Sequence, residues 1–532
     1  MHEDLGFEEI VWFGDSLTDE RNIHDLTERT TIVTLPAESA GYTEAFTNGD
    51  VHAVTTSSLL GVERANYAVA YGHALGSYSV EDYAEDRFGG QIDGVDVFLP
   101  GATQEDLDYD LYLGGQVERY LDDTGSEGAS DDTAAAFLIG LNDYSEFEAT
   151  NDFTAPFEAA ALVTGVVGAT VQAAQAVIET GVETILFYTM PSFRFFPLSA
   201  GQSEDLLALG DQLIARHNTA LSQGAAYLES TTDADVTFID FNRLAREIMD
   251  DPETFGLRGE LFSQPIILGT GGNGTLIELD DGSYDVAFPQ NPAVDGIDPD
   301  QLPFIDFIHP TAPVHDALGV FTALSLTSKI RLEGSGGDEI NGTGCPDLVL
   351  SGTGKDRIKT KAGDDVVLAG RNDDEVLAGD GDDIVSGGSG DDVLRGEKGK
   401  DVLADGAGDD DVSGGRGKDL LIDGNGFDML CGGKGQDAFL FVDIAYRVGD
   451  TENAGGVMKG GRGQDTVYLV LQDETRALVE AEIVDGKNTQ SLDSIGLTTK
   501  GIEAYEFLDE VEDLAALLPD LRVPEAELWG LV

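Results

Sequence analysis

Apolar residues are distributed along this chain in two different ways. Over about the first 330 positions they gather into short continuous runs and longer mixed segments; beyond that they recur singly at a fixed interval. Ile10 to Phe13 is a short apolar run that reads as a buried strand, and Gly14 behind it permits a sharp turn. Asn66 to Gly72 reads as a short strand running into a glycine turn. Ala134 to Leu141 is a third strand, with Asn142 and Asp143 at its end. Glu183 to Thr189, closed by Pro191, and Val236 to Asp240 complete the set. Helical patterns lie between and after them, over 156–180, about 203–224 and about 313–328. Strands alternating with helices predict an α/β fold, a parallel sheet with flanking helices. Sites in such sheets lie at the carboxyl ends of the strands. Ser16, Gly72 and Asn142 all fall at predicted carboxyl ends.

From Gly336 onward the pattern changes to a nine-residue period. Asp338, Asp347, Asp356, Asp365, Asp374, Asp383, Asp392, Asp401, Asp410, Asp419, Asp428 and Asp437 stand in one unbroken register. Two residues after each comes an apolar side chain, from Ile340 through Val349 and Ile358 to Leu430 and Phe439. A flexible acidic linker would not keep such a register. The motif returns once after a gap, at Gly460 to Val467.

Charge narrows the partners. The formal net charge is -71, and no lysine occurs before Lys329. Nucleic acid is excluded as a partner, since phosphate binding needs a basic face. The acidic surface suits a salty medium, calcium, or both. Cys345 and Cys431 do not make a disulfide framework. If one coil holds two repeats, they lie nearly five coils apart, far beyond the roughly 7 Å Cα limit for a disulfide. No N-terminal secretory signal is expected ahead of a core strand that begins within ten residues of Met1. The apolar stretch Ala159 to Ile178 approaches membrane length, but its glycines, Thr170, Gln172 and Gln175 predict a buried helix rather than a transmembrane segment.

Candidate chemistry sits at the ends of the apolar runs. Ser16 stands just after the first strand, where backbone N–H groups can stabilise negative charge; taken alone, it could equally be a helix N-cap. Asp306 precedes His309 by three residues, ahead of the last helix, which can place a carboxylate beside an imidazole. His315 is expected at the surface. The segment 260–303 is glycine-rich and irregular, either a loop over the site or a plain insertion.

Residues 10–328 resemble the SGNH, or GDSL-motif, hydrolases of lipase and esterase type. Phe13-Gly14-Asp15-Ser16-Leu17 with Asp19 and Asn22 matches the first block of that family, and Asn48-Gly49 with Asn66-Tyr67-Ala68-Val69 the second. Gly140-Leu141-Asn142-Asp143 matches the third block and Asp306 to Thr311 the last. The resemblance implies a nucleophile at Ser16, a general base at His309 and an orienting carboxylate at Asp306. It also implies an oxyanion hole from the Ser16 N–H, the Asn142 amide and a second backbone N–H. The family's glycine in the second block falls where this chain has Tyr71, so that N–H belongs to Gly72 or to Tyr71, with Gly72 favoured.

The nonapeptides resemble RTX repeats, which form calcium-binding parallel β-rolls. That implies structural Ca²⁺ ions held by Asp365, Asp374, Asp383, Asp392, Asp401, Asp410, Asp419, Asp428 and Asp437. The first three repeats are poorer, interrupted by Cys345, Lys355 and Lys361. The expected division is a hydrolase domain over 1–330, a β-roll over 331–445 and a C-terminal region over 446–532. That last region ends in an acidic, partly helical tail closing with Leu528-Trp529-Gly530-Leu531-Val532. The resemblance further implies a protein secreted by type I machinery from a Gram-negative cell, acting on a lipid or short acyl ester. A carbohydrate (acetyl) esterase stays open as an alternative. So does a calcium-dependent surface protein with an inert hydrolase fold.

Overall fold

In the computed structural model, the apolar runs of the N-terminal half become the strands of one parallel sheet. The structure describes residues 5–31, 35–36, 42–43, 45–82, 84, 91–92, 95–99, 101–125, 128–130, 132–144, 156–268, 275–278, 284–332, 336–442, 455–484, 486–508, 517–518 and 521. The tail from Leu528 to Val532 lies outside them. The chain divides into two units, residues 1–245 with 261–326, and residues 246–260 with 327–532.

In the first unit β1 (Glu9–Gly14) lies between β2 (Glu63–Asn66) and β3 (Thr133–Leu138), followed outward by β4 (Thr184–Tyr188) and β5 (Asp235–Ile239). The order is β2-β1-β3-β4-β5, and every pairing is parallel. The central strands β1 and β3 are buried almost throughout, so they need continuous apolar runs rather than alternation. Because the chain leaves β1 toward one edge and returns as β3 on the other side, a crevice opens at their carboxyl ends.

The helices that matter for the site are α1 (Asn22–Thr30), α2 (His52–Leu60), α3 (Leu113–Thr124), α4 (Pro156–Ile178), α5 (Glu204–Thr231) and α6 (Ala312–Thr327). Among the described residues α4 is the one helix long and apolar enough to cross a membrane. It packs instead by a stripe at helical spacing, Ala159, Val163, Val166, Val167, Thr170, Ala174 and Val177, all buried. Its other described positions from Ala160 to Ile178 are partly covered or exposed, so it is a packed helix with one wet side rather than one buried all round.

Two strands differ from their expected bounds for local reasons, and the helix expected over about 203–224 runs on to Thr231. The second strand ends at Asn66, where its expected span began, because the Asn66 side chain folds back to accept the Ala68 N–H at 2.9 Å. The third ends at Leu138, since Gly140 turns the backbone with φ 121°. Within the irregular segment 260–303, strands Thr275–Glu278 and Tyr284–Ala287 form an antiparallel hairpin. Its root is tied beside the last block, the Ile267 N–H donating to the Ile305 carbonyl at 2.8 Å.

The second unit is a β-roll of two sheets, each of nine strands among the described residues and parallel except for the edge strand Thr489–Leu492, which pairs antiparallel. Successive strands in a sheet are offset by 18 residues, two nonapeptides per coil, as in Val349 opposite Val367 and Ile358 opposite Val376. The apolar residues of the register, Ile340 through Phe439, are buried together in one thin core. The ladder does not stop with the regular repeats. Gly456–Arg462 and Thr466–Val470 take the next rungs, followed by Leu497–Lys500 and Ala504–Leu508. Both cysteines are free thiols, Cys345 exposed and Cys431 half-buried.

Candidate active site

Ser16 stands two residues past the end of β1, buried, on a turn closed by the Thr18 and Asp19 N–H groups donating to the Asp15 carbonyl at 3.0 and 2.9 Å. The loop ahead of α6 brings His309 to it across 293 residues of chain: His309 Nε2 lies 2.9 Å from Ser16 Oγ. On the other side of the ring, Nδ1 lies 2.7 Å from Asp306 Oδ2. Asp306 Oδ1 accepts the N–H groups of Ile308 and His309 at 2.7 and 2.8 Å, which fixes the turn between carboxylate and ring. Burial alone would raise the Asp306 carboxyl. The neighbouring His309, with hydrogen bonds from His309 and Tyr42, nevertheless holds it below the usual range. Such an array can move a proton from a hydroxyl to an imidazole and stabilise the imidazolium that forms.

Two residues that the sequence did not flag complete this geometry. The Tyr42 hydroxyl donates to Asp306 Oδ2 at 2.6 Å, the same oxygen that faces His309. Its ring and that of Phe46 flank the imidazole, at centroid distances of 6.2 and 4.7 Å. Gln116, buried on α3, holds both backbone groups of Gly14: Oε1 accepts the Gly14 N–H at 3.0 Å and Nε2 donates to its carbonyl at 2.8 Å. A glutamine 102 residues away thus anchors the strand end that presents Ser16.

The remaining family blocks serve as braces. Asp19 accepts the N–H groups of Asn22, Ile23 and Ala70 at 2.6, 3.1 and 2.8 Å, joining the serine turn to the second block. Asn22 donates to the carbonyls of Asn66 and Ala68, both at 2.8 Å. Asn48 accepts the Ala312 N–H at 2.7 Å and so holds the start of α6, just after His309. Burial pushes the Asp15 and Asp19 carboxyls each up to about 7.

Gly72 packs against Gly14, two residues before Ser16, and Asn142 is tied to Gly72. The Gly72 N–H donates to the Val69 carbonyl at 3.0 Å, closing a β-turn. In that turn Tyr71 takes the left-handed conformation, φ 67°, at the third position, where glycine is usual. Gly72 is needed for space: a Cβ there would lie 3.0 Å from the Gly14 carbonyl and 2.8 Å from that of Val69. Asn142 Nδ2 donates to the Gly72 carbonyl at 2.9 Å, which orients the amide. His315 is not a surface residue. It is buried on α6 with its ring 6.2 Å from that of His52, and Nδ1 accepts the His52 N–H at 3.4 Å. Burial lowers it to about 3, so it is neutral at ordinary pH and stays outside the Ser16 array.

In the second unit all nine aspartates expected to hold calcium are buried at the turns of the roll. They stack in ladders: Oδ1 of each accepts the N–H of the aspartate 18 residues earlier, as from Asp374 to Asp392 at 2.7 Å and from Asp392 to Asp410 at 2.6 Å. The other oxygen, Oδ2 of Asp374, Asp392, Asp401, Asp410, Asp419 and Asp437, is buried with no hydrogen bond. Burial, and next the neighbouring aspartates, push these carboxyls up, to about 9 for Asp392 and Asp401. Orphaned, hard, anionic oxygens in a row fit Ca²⁺. The first turns differ: Asp347 Oδ2 already accepts from the Thr343 N–H at 2.6 Å and from its hydroxyl at 3.0 Å.

Comparison with known families agrees with both halves. The model of the GDSL-like lipase/acylhydrolase family matches residues 10–319. That of the RTX calcium-binding nonapeptide repeat matches 333–367, 350–385, 386–421 and 405–439. The first match covers more than half of the 532 residues, and the chain belongs to the GDSL-like lipase/acylhydrolase family. It is an ester hydrolase of that type with a calcium-binding repeat module. Among curated proteins no sequence matches the chain.

Proposed function

We propose that the protein is a serine carboxylic ester hydrolase working through an acyl-enzyme on Ser16. The observation that carries this reading is the continuous array Ser16 Oγ, His309 Nε2, His309 Nδ1 and Asp306 Oδ2, with steps of 2.9 and 2.7 Å. His309 takes the Ser16 proton as the oxygen attacks the ester carbonyl, and returns it to the departing alcohol. Water then repeats the sequence on the acyl-enzyme. Asp306 orients the ring and stabilises its charged form, and Tyr42 positions Asp306.

The Ser16 N–H and the Asn142 amide are the first two donors to the developing oxyanion. For the third, the commitment of the Gly72 N–H to Val69 favours the Tyr71 N–H. An apolar acyl group is favoured as substrate because the Phe46 ring packs on His309 at 4.7 Å and meets the Tyr71 ring edge-on at 5.9 Å. A lipid or short acyl ester fits that wall better than an acetylated glycan. Turnover of a chain-length series of nitrophenyl esters, beside an acetylated polysaccharide, tests this choice. Higher kcat/KM on the glycan would overturn it.

The calcium ions are structural in this reading. One apolar residue per nonapeptide makes a thin core, so cation binding must contribute much of the roll's folding free energy. Export by type I machinery from a low-calcium cytoplasm, with the roll folding outside the cell, follows from the same logic. Circular dichroism of the roll with and without Ca²⁺ tests the folding step. Recovery of the chain from medium or cells of a type I secretion mutant tests the route.

A further inference from the structure

Two turns of the roll carry a carboxylate where the three turns before them carry none. Counting five residues back from each aspartate from Asp356 to Asp428 along one edge of the roll gives Ser351, Ala369 and Gly387, then Asp405 and Asp423. That position lies hard against the turn. At Gly387 even a Cβ would stand 2.6 Å from Asp392 Oδ2. An aspartate in its place therefore delivers a second carboxylate next to the first.

The structure shows the result. Ligand oxygens of Asp405, Asp423 and Asp428 lie within 4.8 Å of one another, and all three residues are buried. Asp405 is held firmly, its Oδ1 accepting the Gly406 N–H at 2.8 Å and the Gly424 N–H at 2.5 Å. Its Oδ2 is fully buried with no hydrogen bond. Among the described residues no other part of the roll gathers three carboxylates this closely. Three buried anions at such spacing repel unless a cation joins them, and their oxygens are of the hard type Ca²⁺ selects.

We propose that Asp405, Asp423 and Asp428 form a calcium site distinct from the ordinary repeat turns and tighter than they are. Affinity at oxygen-ligand sites rises with the number of charged ligands, and this site has an extra one. The inference rests on the reading of the repeats as calcium-binding, and two of its three residues, Asp405 and Asp423, lie outside the repeated aspartate register that supplies Asp428.

The test is a titration of the full chain with Ca²⁺ against a chromophoric chelator, with Tm followed in parallel. Wild type is compared with Asp405→Asn, Asp423→Asn and the exposed-charge control Glu375→Gln. Each of the two turn variants should weaken the tightest class of sites about tenfold or more. They should lower Tm at limiting Ca²⁺, while Glu375→Gln changes neither. Turn variants that titrate like wild type would overturn the proposal. A wild-type chain that binds no Ca²⁺ at all would overturn the calcium reading itself, and this site with it. If Asp405→Asn does not fold even in millimolar Ca²⁺, Asp423→Asn decides by the same criterion.

Discussion

Tyr42 and His309 meet on a single oxygen: both lie within hydrogen-bonding distance of Asp306 Oδ2, at 2.6 and 2.7 Å. The phenol thereby drains part of the carboxylate's charge away from the imidazole. Removing it in Tyr42→Phe should strengthen the pull of Asp306 on the protonated ring. The acidic limb of the kcat/KM profile should then move to higher pH, and kcat should fall about tenfold through looser positioning, with KM little changed. A purely structural role would lower Tm and leave the profile in place.

Among the described residues Gln116 is the side chain that accepts the Gly14 N–H. Gln116→Leu should leave that buried donor unpaired, costing about 1–3 kcal/mol of stability. It should also lower kcat, because the Ser16 turn loses its anchor. Thermal unfolding and single-turnover acylation of the purified variant check both effects. Unchanged values in both would remove the clamp from this account.

Asn142→Ala should reduce kcat about 10²–10³-fold, as expected for loss of one oxyanion donor. KM should stay within a few-fold, since the amide acts mainly on the charged intermediate. Steady-state kinetics on a nitrophenyl ester decide, and a normal kcat would take Asn142 out of the hole.

The metal-free roll should be stabilised by acid. Its aspartates are raised from 3.8 to about 9 at Asp392 and Asp401, about 8 at Asp374 and Asp410, and about 7 at Asp419 and Asp437. A raised folded-state value means the folded roll binds protons more tightly than the unfolded chain. Stability in chelator should therefore fall as pH rises from about 4 to about 9. In chelator, β structure of the roll should be greater at pH 5 than at pH 8, and Ca²⁺ should restore it at pH 8. Circular dichroism across that range checks the sign, and a metal-free roll that gains structure with rising pH would contradict it.

The sequence revealed what is local or periodic. Ser16, Asn142, Asp306 and His309 each stand in a short block at the end of an apolar run, and the roll's core repeats every nine residues. What it hid depends on distance or on a broken period. Gln116 lies on a helix with no motif around it, and its partner is 102 residues away. Tyr42 reaches Asp306 across 264 residues. His315 was misjudged because a polar residue near a turn reads as exposed until the stacking of α2 on α6 is known. The rung at Gly456–Arg462 showed only in part, through the returning motif at Gly460 to Val467, and that at Leu497–Lys500 not at all, because the insertions before them break the nine-residue count, although the ladder tolerates them. Asp405 and Asp423 were invisible for the opposite reason: in so acidic a stretch two more aspartates carry no signal until the turn is built.

The central claim is that Ser16 carries the acyl group during turnover. Treating the protein with a fluorophosphonate and mapping the adduct by peptide mass spectrometry tests it directly. The account predicts one adduct, on Ser16, that appears in step with loss of esterase activity. It also predicts that Ser16→Ala takes up no label and has no turnover above background while its circular dichroism stays unchanged. Label on another residue, or hydrolysis retained in Ser16→Ala, would contradict it.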